Sequence, residues 1–395
     1  MHADLLLYNG RIYTLDAGRP LAQAVAVRGN RILAVGDDAD LRPLLRPGGQ
    51  AVDLGGRAVI PGLIDSHVHF GWYSLALYEE RVDLDNVPGK EEALARIAAQ
   101  VDRTPPGCWI RGGGWNKNIW PQDAFPTAAD LDAVAPDHPV ALEDKSRHAT
   151  WVNSLALELA GVTASTEDPP GGEIVRDEAG NPTGILLETA AQLITDAIPE
   201  PGVETFVQAL RRGIAEAHRL GLTGFHDPGH PKVLAALQVL RTQGELTLRA
   251  LVHIPADGLD SAAALGLRSG LGDAVLRIGG VKLFADGALG PQSAHMLAPY
   301  EGSDNRGIPT YTAEELHSLV CRARRAGLSV AIHAIGDAAN RAALDAIARA
   351  RAKTADLLPP TLPDRIEHAQ LLHPADLPRL AALGVVASMQ PIHAT

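Results

Sequence analysis

The sequence predicts an α/β protein: a (β/α)8 TIM-type barrel, here lacking strand 8, with a small N-terminal β-sandwich-like domain and a large insertion after the first barrel strand. Three observations carry that expectation. Helical and strand patterns alternate regularly from Val203 onward, which implies a parallel sheet. Strand after strand then ends in a metal-ligand type of residue, as active groups do at the C-terminal rim of a barrel. Finally, no G-x-G-x-x-G or phosphate-loop pattern follows the first strand, and RGGGW lacks both the spacing and the long helix that a nucleotide turn needs.

The elements follow in chain order. Residues 1–60 read as short strands and turns, DLLLYNGRIYTLD, AVAVRGNRILAVGD with Gly29-Asn30 at a hairpin tip, and QAVDLGGRAVI, forming a small β domain. Residues 61–70, PGLIDSHVHF, are the first barrel strand. Residues 71–201 hold all five tryptophans, many prolines and only short helical or strand patterns, and read as an insertion or lid. Residues 202–395 supply strands two to seven: TGFHD, RALVHI, VKLF, AIHAIG, RIEHA and VVASMQ. Between them lie helices such as VETFVQALRRGIAEAHRLG and TAEELHSLVCRARRAG, the latter with Thr312 and Glu315 spaced as a capping box.

Composition narrows the function. The 395 residues are 46% apolar, enough for a large core, and 35 basic against 47 acidic residues give a net charge of -12 without a basic tract. That balance argues against nucleic acid or an anionic membrane as partner and favours a small-molecule substrate. Only Cys108 and Cys321 occur, so neither a disulfide framework nor a thiolate zinc site is expected. The start MHADLLLY lacks the features of a signal peptide, and no apolar run approaches the roughly 20 residues of a membrane span, so a cytoplasmic location is expected.

The chemistry concentrates in a few positions. In a strand, His67 and His69 point to the same face across Val68, so both can grip one ion. An isolated H-x-H is equally a pair of polar residues at a loop mouth. Lys282 sits in the apolar run GGVKLF, where an unpaired ammonium is expensive to bury. It either pairs with a carboxylate such as Asp286 or reacts, as the neutral amine, with carbon dioxide to give a carbamate able to bridge two metal ions. His333 and His368 each close a later strand, and a run of such residues over strands one, four, five and six makes coincidence a poor account. Imidazoles and carboxylate oxygen without sulfur suit zinc, manganese, iron or nickel. Asp65, Glu367 and Asp337 are candidates to orient the imidazoles, or to cap loops. Trp72, Trp115, Trp120 and Trp151 form either an apolar lid, with Trp115 on the substrate, or the insertion's own core; His148 and His393 either meet the substrate or lie on the surface.

These residues, in this order, resemble the metal-dependent amidohydrolase superfamily. PGLIDSHVHF, VKLFADGALG, IHAIGDAAN, RIEHAQ and SMQPIHAT are most similar to its amidohydrolase family 3 branch, the N-substituted formamide deformylase-like enzymes, and GGGWN and RHATWVNSLAL are similar to that branch's insertion. The resemblance covers essentially the whole chain. It implies one or two divalent metal ions, zinc first, with His67 and His69 on one, His333 and His368 on the other, and carboxylated Lys282 between them. It implies a hydrolase of a non-peptide C–N bond in an amide, formamide or cyclic amide, using metal-activated hydroxide. It also implies a proton-transferring aspartate on strand eight and C-terminal residues completing the small β domain, both missing from the 395 residues. The expectation is therefore a chain truncated at its C-terminus, inactive as written, whose open seam favours association with a second copy. The alternatives are a non-catalytic barrel fragment and a metal-dependent lyase or isomerase on the same scaffold.

Overall fold

The computed structural model describes residues 2–121, 124–146 and 148–394. Arg147, which opens the segment RHATWVNSLAL, lies outside the described residues, as does Thr395. The chain divides into two compact units, Met1–Ser66 with Ala217–His226, and His67–Glu216 with Asp227–Thr395.

The first unit contains two small sheets. One orders Arg31–Gly36, Ala24–Arg28, Ala3–Tyr8 and Leu45–Asp53; the other orders Leu21–Ala22, Arg11–Tyr13 and Ala58–Val59. The hairpin at Gly29-Asn30 forms as expected: Arg28 pairs with Arg31, and Gly29 takes φ 57°, a left-handed conformation that costs glycine nothing. Ala3, Leu6, Ala24, Ala26 and Leu41 make its core. In the same unit, Leu63–Asp65 pairs in parallel with the strand Leu222–Asp227, Asp65 lying opposite Phe225.

The second unit holds a parallel half-barrel sheet whose neighbours follow chain order: Arg249–Pro255, Leu276–Phe284, Val330–Ala334, Arg365–His368 and Val386–Ser388. Helices Ala313–Arg325, Asp337–Lys353 and Leu377–Leu383 provide crossovers, so the fold is mixed α/β as the alternation predicts. Thr312 and Glu315 do form the reciprocal capping box. Val281, Leu283, Ile332, Ile366, Val320, Leu344 and Ile347 pack together in the main core, each contributing about 1.5–3 kcal/mol by burial. Because Val281 and Leu283 face the helices, the pleat turns Lys282 to the opposite face.

Two expectations change. The H-x-H pair is not on a strand: pairing ends at Asp65, the chain turns through Ser66 to His69, and helix Phe70–Tyr78 begins with His69 at its N-cap. The helix is anchored by contacts distant in sequence, since a Cβ on Gly71 would lie 2.3 Å from Val233 of helix Pro231–Gln243. Nor is the insertion a set of short patterns. It builds a six-stranded sheet ordered Gly172–Arg176, Pro182–Glu188, Ala149–Val152, Val140–Asp144, Ile110–Trp115 and Val82–Asp83. The RGGGW segment is one of these strands, disguised because glycine carries no alternation. A Cβ on Gly112 would stand 2.2 Å from the Val82 carbonyl oxygen, so close strand approach accounts for the glycine.

Candidate metal centre

Four imidazoles converge at the ends of the parallel strands and in the turn before helix Phe70–Tyr78. His67 lies 5.9 Å from His69 and 4.7 Å from His368 between ring centroids, and His368 lies 4.6 Å from His333. His393, in the short 3-10 turn Pro391–Ala394, adds a fifth ring 5.5 Å from His368. Thus His67, His69, His333, His368 and His393 are brought together from widely spaced parts of the sequence.

Hydrogen bonds fix how three of these rings are turned. His67 Nδ1 donates to Glu367 Oε2 at 2.7 Å, which leaves the lone pair on Nε2. His368 Nδ1 donates to Gln390 Oε1 at 2.7 Å, with the same consequence. His333 is turned the other way: its Nε2 donates to the Gly287 carbonyl at 2.9 Å, so Nδ1 carries the lone pair. Burial, reinforced by the charge of neighbouring groups including Lys282, pushes His69 and His333 below the ordinary histidine range and His368 down to about 3. Neutral imidazole is the form that ligates a metal.

Lys282 is 3% exposed, and its Nζ has no hydrogen-bond partner among the described residues. Burial, aided by Arg365 and opposed by Glu367, lowers its pKa to about 8. Asp286, the partner considered for a lone lysine, is committed elsewhere. Its Oδ1 accepts the Ile335 N–H at 3.0 Å, and its Oδ2 accepts those of Gly336 and His295 at 2.8 and 2.9 Å. Asp337 likewise accepts the Leu297 N–H at 2.8 Å. These two carboxylates therefore staple the loop after the lysine strand to the next strand end.

Glu367 is 1% exposed and joins His67 to Arg365, whose Nε donates to it at 2.8 Å. Burial alone would raise its pKa, but the His67 hydrogen bond and the Arg365 charge hold it well below the usual carboxylate range. Arg365 also donates to Ser388 Oγ at 2.8 Å, tying two strands behind the histidine.

Asp65 closes its short strand in the first unit. Trp115 is buried in the insertion against Trp120 and Trp151, and its indole N–H donates to the Leu142 carbonyl at 2.8 Å. His148 is exposed and paired with Glu188 at 3.0 Å. Trp115 and His148 share a cavity of about 280 Å³ with Lys117, Phe125, Asp144 and Glu188. Sequence reasoning missed Asp227, Arg365 and Gln390. Asp227 ends the strand read from TGFHD and Gln390 follows the strand read from VVASMQ, so both were reachable by asking what each strand end carries.

Among the described residues no three His, Cys, Asp or Glu side chains are arranged to hold an ion by themselves. The donors nevertheless fit a divalent ion in kind. Burial favours the neutral form of His69, His333 and His368, outer hydrogen bonds turn the rings of His67, His333 and His368, and the buried amine of Lys282 has no hydrogen-bond partner among the described residues.

A family model described as "Amidohydrolase family" matches residues 50–395. The chain belongs to the amidohydrolase family. Among similar chains, Protein LONG AFTER FAR-RED 3 of Arabidopsis thaliana is 37% identical, over 99% of this chain and 68% of its own length. The N-substituted formamide deformylase of Arthrobacter pascens is 33% identical over 97% of this chain and 72% of its own. A crystal structure of an uncharacterized metal-dependent hydrolase from Pyrococcus horikoshii OT3 superposes with a TM-score of 0.81 at 31% identity, covering 98% of this chain and 74% of that one. The expected family is therefore the right one, and the parallel α/β architecture is shared with a hydrolase.

Proposed function

We propose that this amidohydrolase cleaves a non-peptide C–N bond of a small amide, formamide or cyclic amide, using one or two divalent metal ions, zinc first. The observation that carries the reading is the buried Nζ of Lys282, without a hydrogen-bond partner among the described residues, in the same sheet whose strand ends bring His333 and His368 together with His67. A structural lysine would have a hydrogen-bonded carboxylate; here burial lowers the pKa to about 8, which makes the neutral amine more accessible, and the amine can attack carbon dioxide, forming an N–C bond and releasing one proton. His67 and His69 would hold one ion, His333 and His368 the other, and the Lys282 carbamate would lie between. A bound divalent ion supplies Lewis-acid polarisation of the carbonyl and a lowered pKa for water. Glu367, through its bond to His67, fixes the ring against rotation, and Gln390 does so for His368.

In this reading the parallel strands belong to a (β/α)8 barrel whose chemistry collects at the C-terminal strand ends. The formamide deformylase among its relatives supports the substrate class. The net charge of -12 supports a small-molecule substrate, and the two free thiols support a reducing, cytoplasmic setting. The test is elemental analysis of the purified chain followed by product analysis with a panel of N-substituted formamides, linear amides and cyclic amides. Metal uptake with release of the amine is expected. Failure to bind zinc, manganese, iron or nickel, or metal binding without cleavage of any member of the panel, would overturn the reading.

A further inference from the structure

The turn that carries His67 and His69 is not held by sheet hydrogen bonds, because strand pairing stops at Asp65. Its geometry must come from somewhere else. His69 is the N-cap of helix Phe70–Tyr78 but makes no side-chain capping bond; the Phe70 N–H is met locally by the Val68 carbonyl at 2.8 Å, and the Gly71 N–H needs an acceptor from elsewhere. Asp227 supplies it. This carboxylate, 4% exposed, accepts the Gly71 N–H on Oδ2 at 3.2 Å and the Gly229 N–H on Oδ1 at 2.8 Å.

The carboxylate is itself held firmly. Gly229 takes φ 100°, and a Cβ there would stand 1.9 Å from the His253 carbonyl oxygen, so the Asp227 loop lies hard against the strand Arg249–Pro255. One oxygen of Asp227 is thus spent on fastening its own loop, and the other reaches the helix that begins at His69. The Asp227 charge also acts on the His69 imidazole. A carboxylate at a helix N-terminus is favourable in its own right, and this buried one binds the N–H two residues beyond His69, whereas the rings of His67, His333 and His368 are each turned by a hydrogen bond of their own.

We infer that Asp227 is the positioning residue for His69: its bond to the Gly71 N–H fixes the turn that carries the imidazole, where Glu367 instead bonds the His67 ring directly. The inference rests on the metal-binding reading proposed above. The two buried carboxylates would hold the H-x-H turn from different strand ends, which explains how two ligands can be placed accurately on a turn.

The test uses the full chain as Asp227→Ala and Asp227→Asn, with zinc as the probe. Zinc affinity is measured by competition with a chelator, the thermal midpoint on metal-free protein, and the His69 ring environment by nitrogen-15 NMR of labelled metal-free protein. Expected are a zinc affinity reduced about 10–100-fold in Asp227→Ala and a displaced His69 ring signal with the His333 and His368 signals unchanged. Asp227→Asn, which keeps an acceptor for a helix N–H but lacks the charge, should fall between Ala and wild type while melting close to wild type. Wild-type zinc affinity in Asp227→Ala would overturn the inference. So would an affinity loss in Asp227→Ala that merely follows its melting temperature while Asp227→Asn binds like wild type, since that is helix capping alone. If the wild-type chain takes up no zinc, the proposed function fails first; an unmoved His69 signal in Asp227→Ala then also removes the positioning role.

Discussion

Two buried regions of the second unit treat their polar groups in opposite ways. In the insertion, Trp115, Trp120 and Trp151 pack edge to face or tilted with centroids 6.0–6.3 Å apart, and each indole N–H finds a backbone carbonyl, those of Leu142, Val87 and Thr127. In the histidine cluster a lysine amine is buried without a hydrogen-bond partner among the described residues, and imidazoles crowd within 4.6–5.9 Å. An aromatic core with every donor satisfied is finished as structure. A buried amine left unsatisfied lowers stability and persists only where it serves something else. The contrast separates the part of the chain that folds the insertion from the part to which we assign the chemistry.

The sharpest way to break this comparison is Lys282→Met. If the amine serves the reaction, turnover in metal-loaded protein falls by several kcal/mol of transition-state stabilisation, on the order of 10³-fold or more. The metal-free variant should be no less stable than the metal-free parent. The pH dependence sharpens the point. The folded pKa of about 8 lies below the unfolded lysine value of about 10.4, so the burial penalty is full below pH 8 and is relieved as pH rises between those two values. Stability of the metal-free parent should therefore increase through that window and that of Lys282→Met should not. Denaturant titrations at several pH values, with turnover assays, read both; undiminished turnover in the variant would erase the distinction between the regions.

Trp151→Ala probes the other side. Removing a fully buried indole should cost about 3–5 kcal/mol in unfolding free energy, read from urea melts, while the folded fraction keeps its metal content. A variant that stays stable but loses metal would mean that the tryptophan core serves the centre directly.

A smaller effect is expected at Glu367→Gln, where the glutamine keeps an acceptor for His67 but loses the charge. Metal affinity should fall about 10–100-fold. Because Glu367 is held below the usual carboxylate range, its contribution to stability is present above the unfolded value and is lost as pH falls toward the folded one. The variant should accordingly show a shallower acid limb in stability against pH, and an acid limb identical to the parent's would remove Glu367 from that role. The least effect belongs to Thr312→Ala, which deletes a helix cap remote from both regions: about 1 kcal/mol in a melt and no change in metal affinity or turnover.

The sequence by itself determined the family, the parallel α/β architecture and the identity of the converging histidines. Each of these is written locally: alternation of apolar patterns, the capping box at Thr312, ligand-type residues at strand ends. It also contained the ambiguity of Lys282 without resolving it. Only the tertiary structure decided that Asp286 is spent on the N–H groups of Ile335, Gly336 and His295 and so is not the lysine's partner. Only the tertiary structure moved His67 and His69 off the strand and into a turn, and the helix that follows is met by a carboxylate 156 residues away in sequence, which accepts the Gly71 N–H. Glu367, 300 residues from His67, is the same kind of fact. Periodicity reports which face a residue occupies within its own element, whereas the aim of a ligand is set by hydrogen bonds and close packing between elements, and those distances are not encoded in any local pattern.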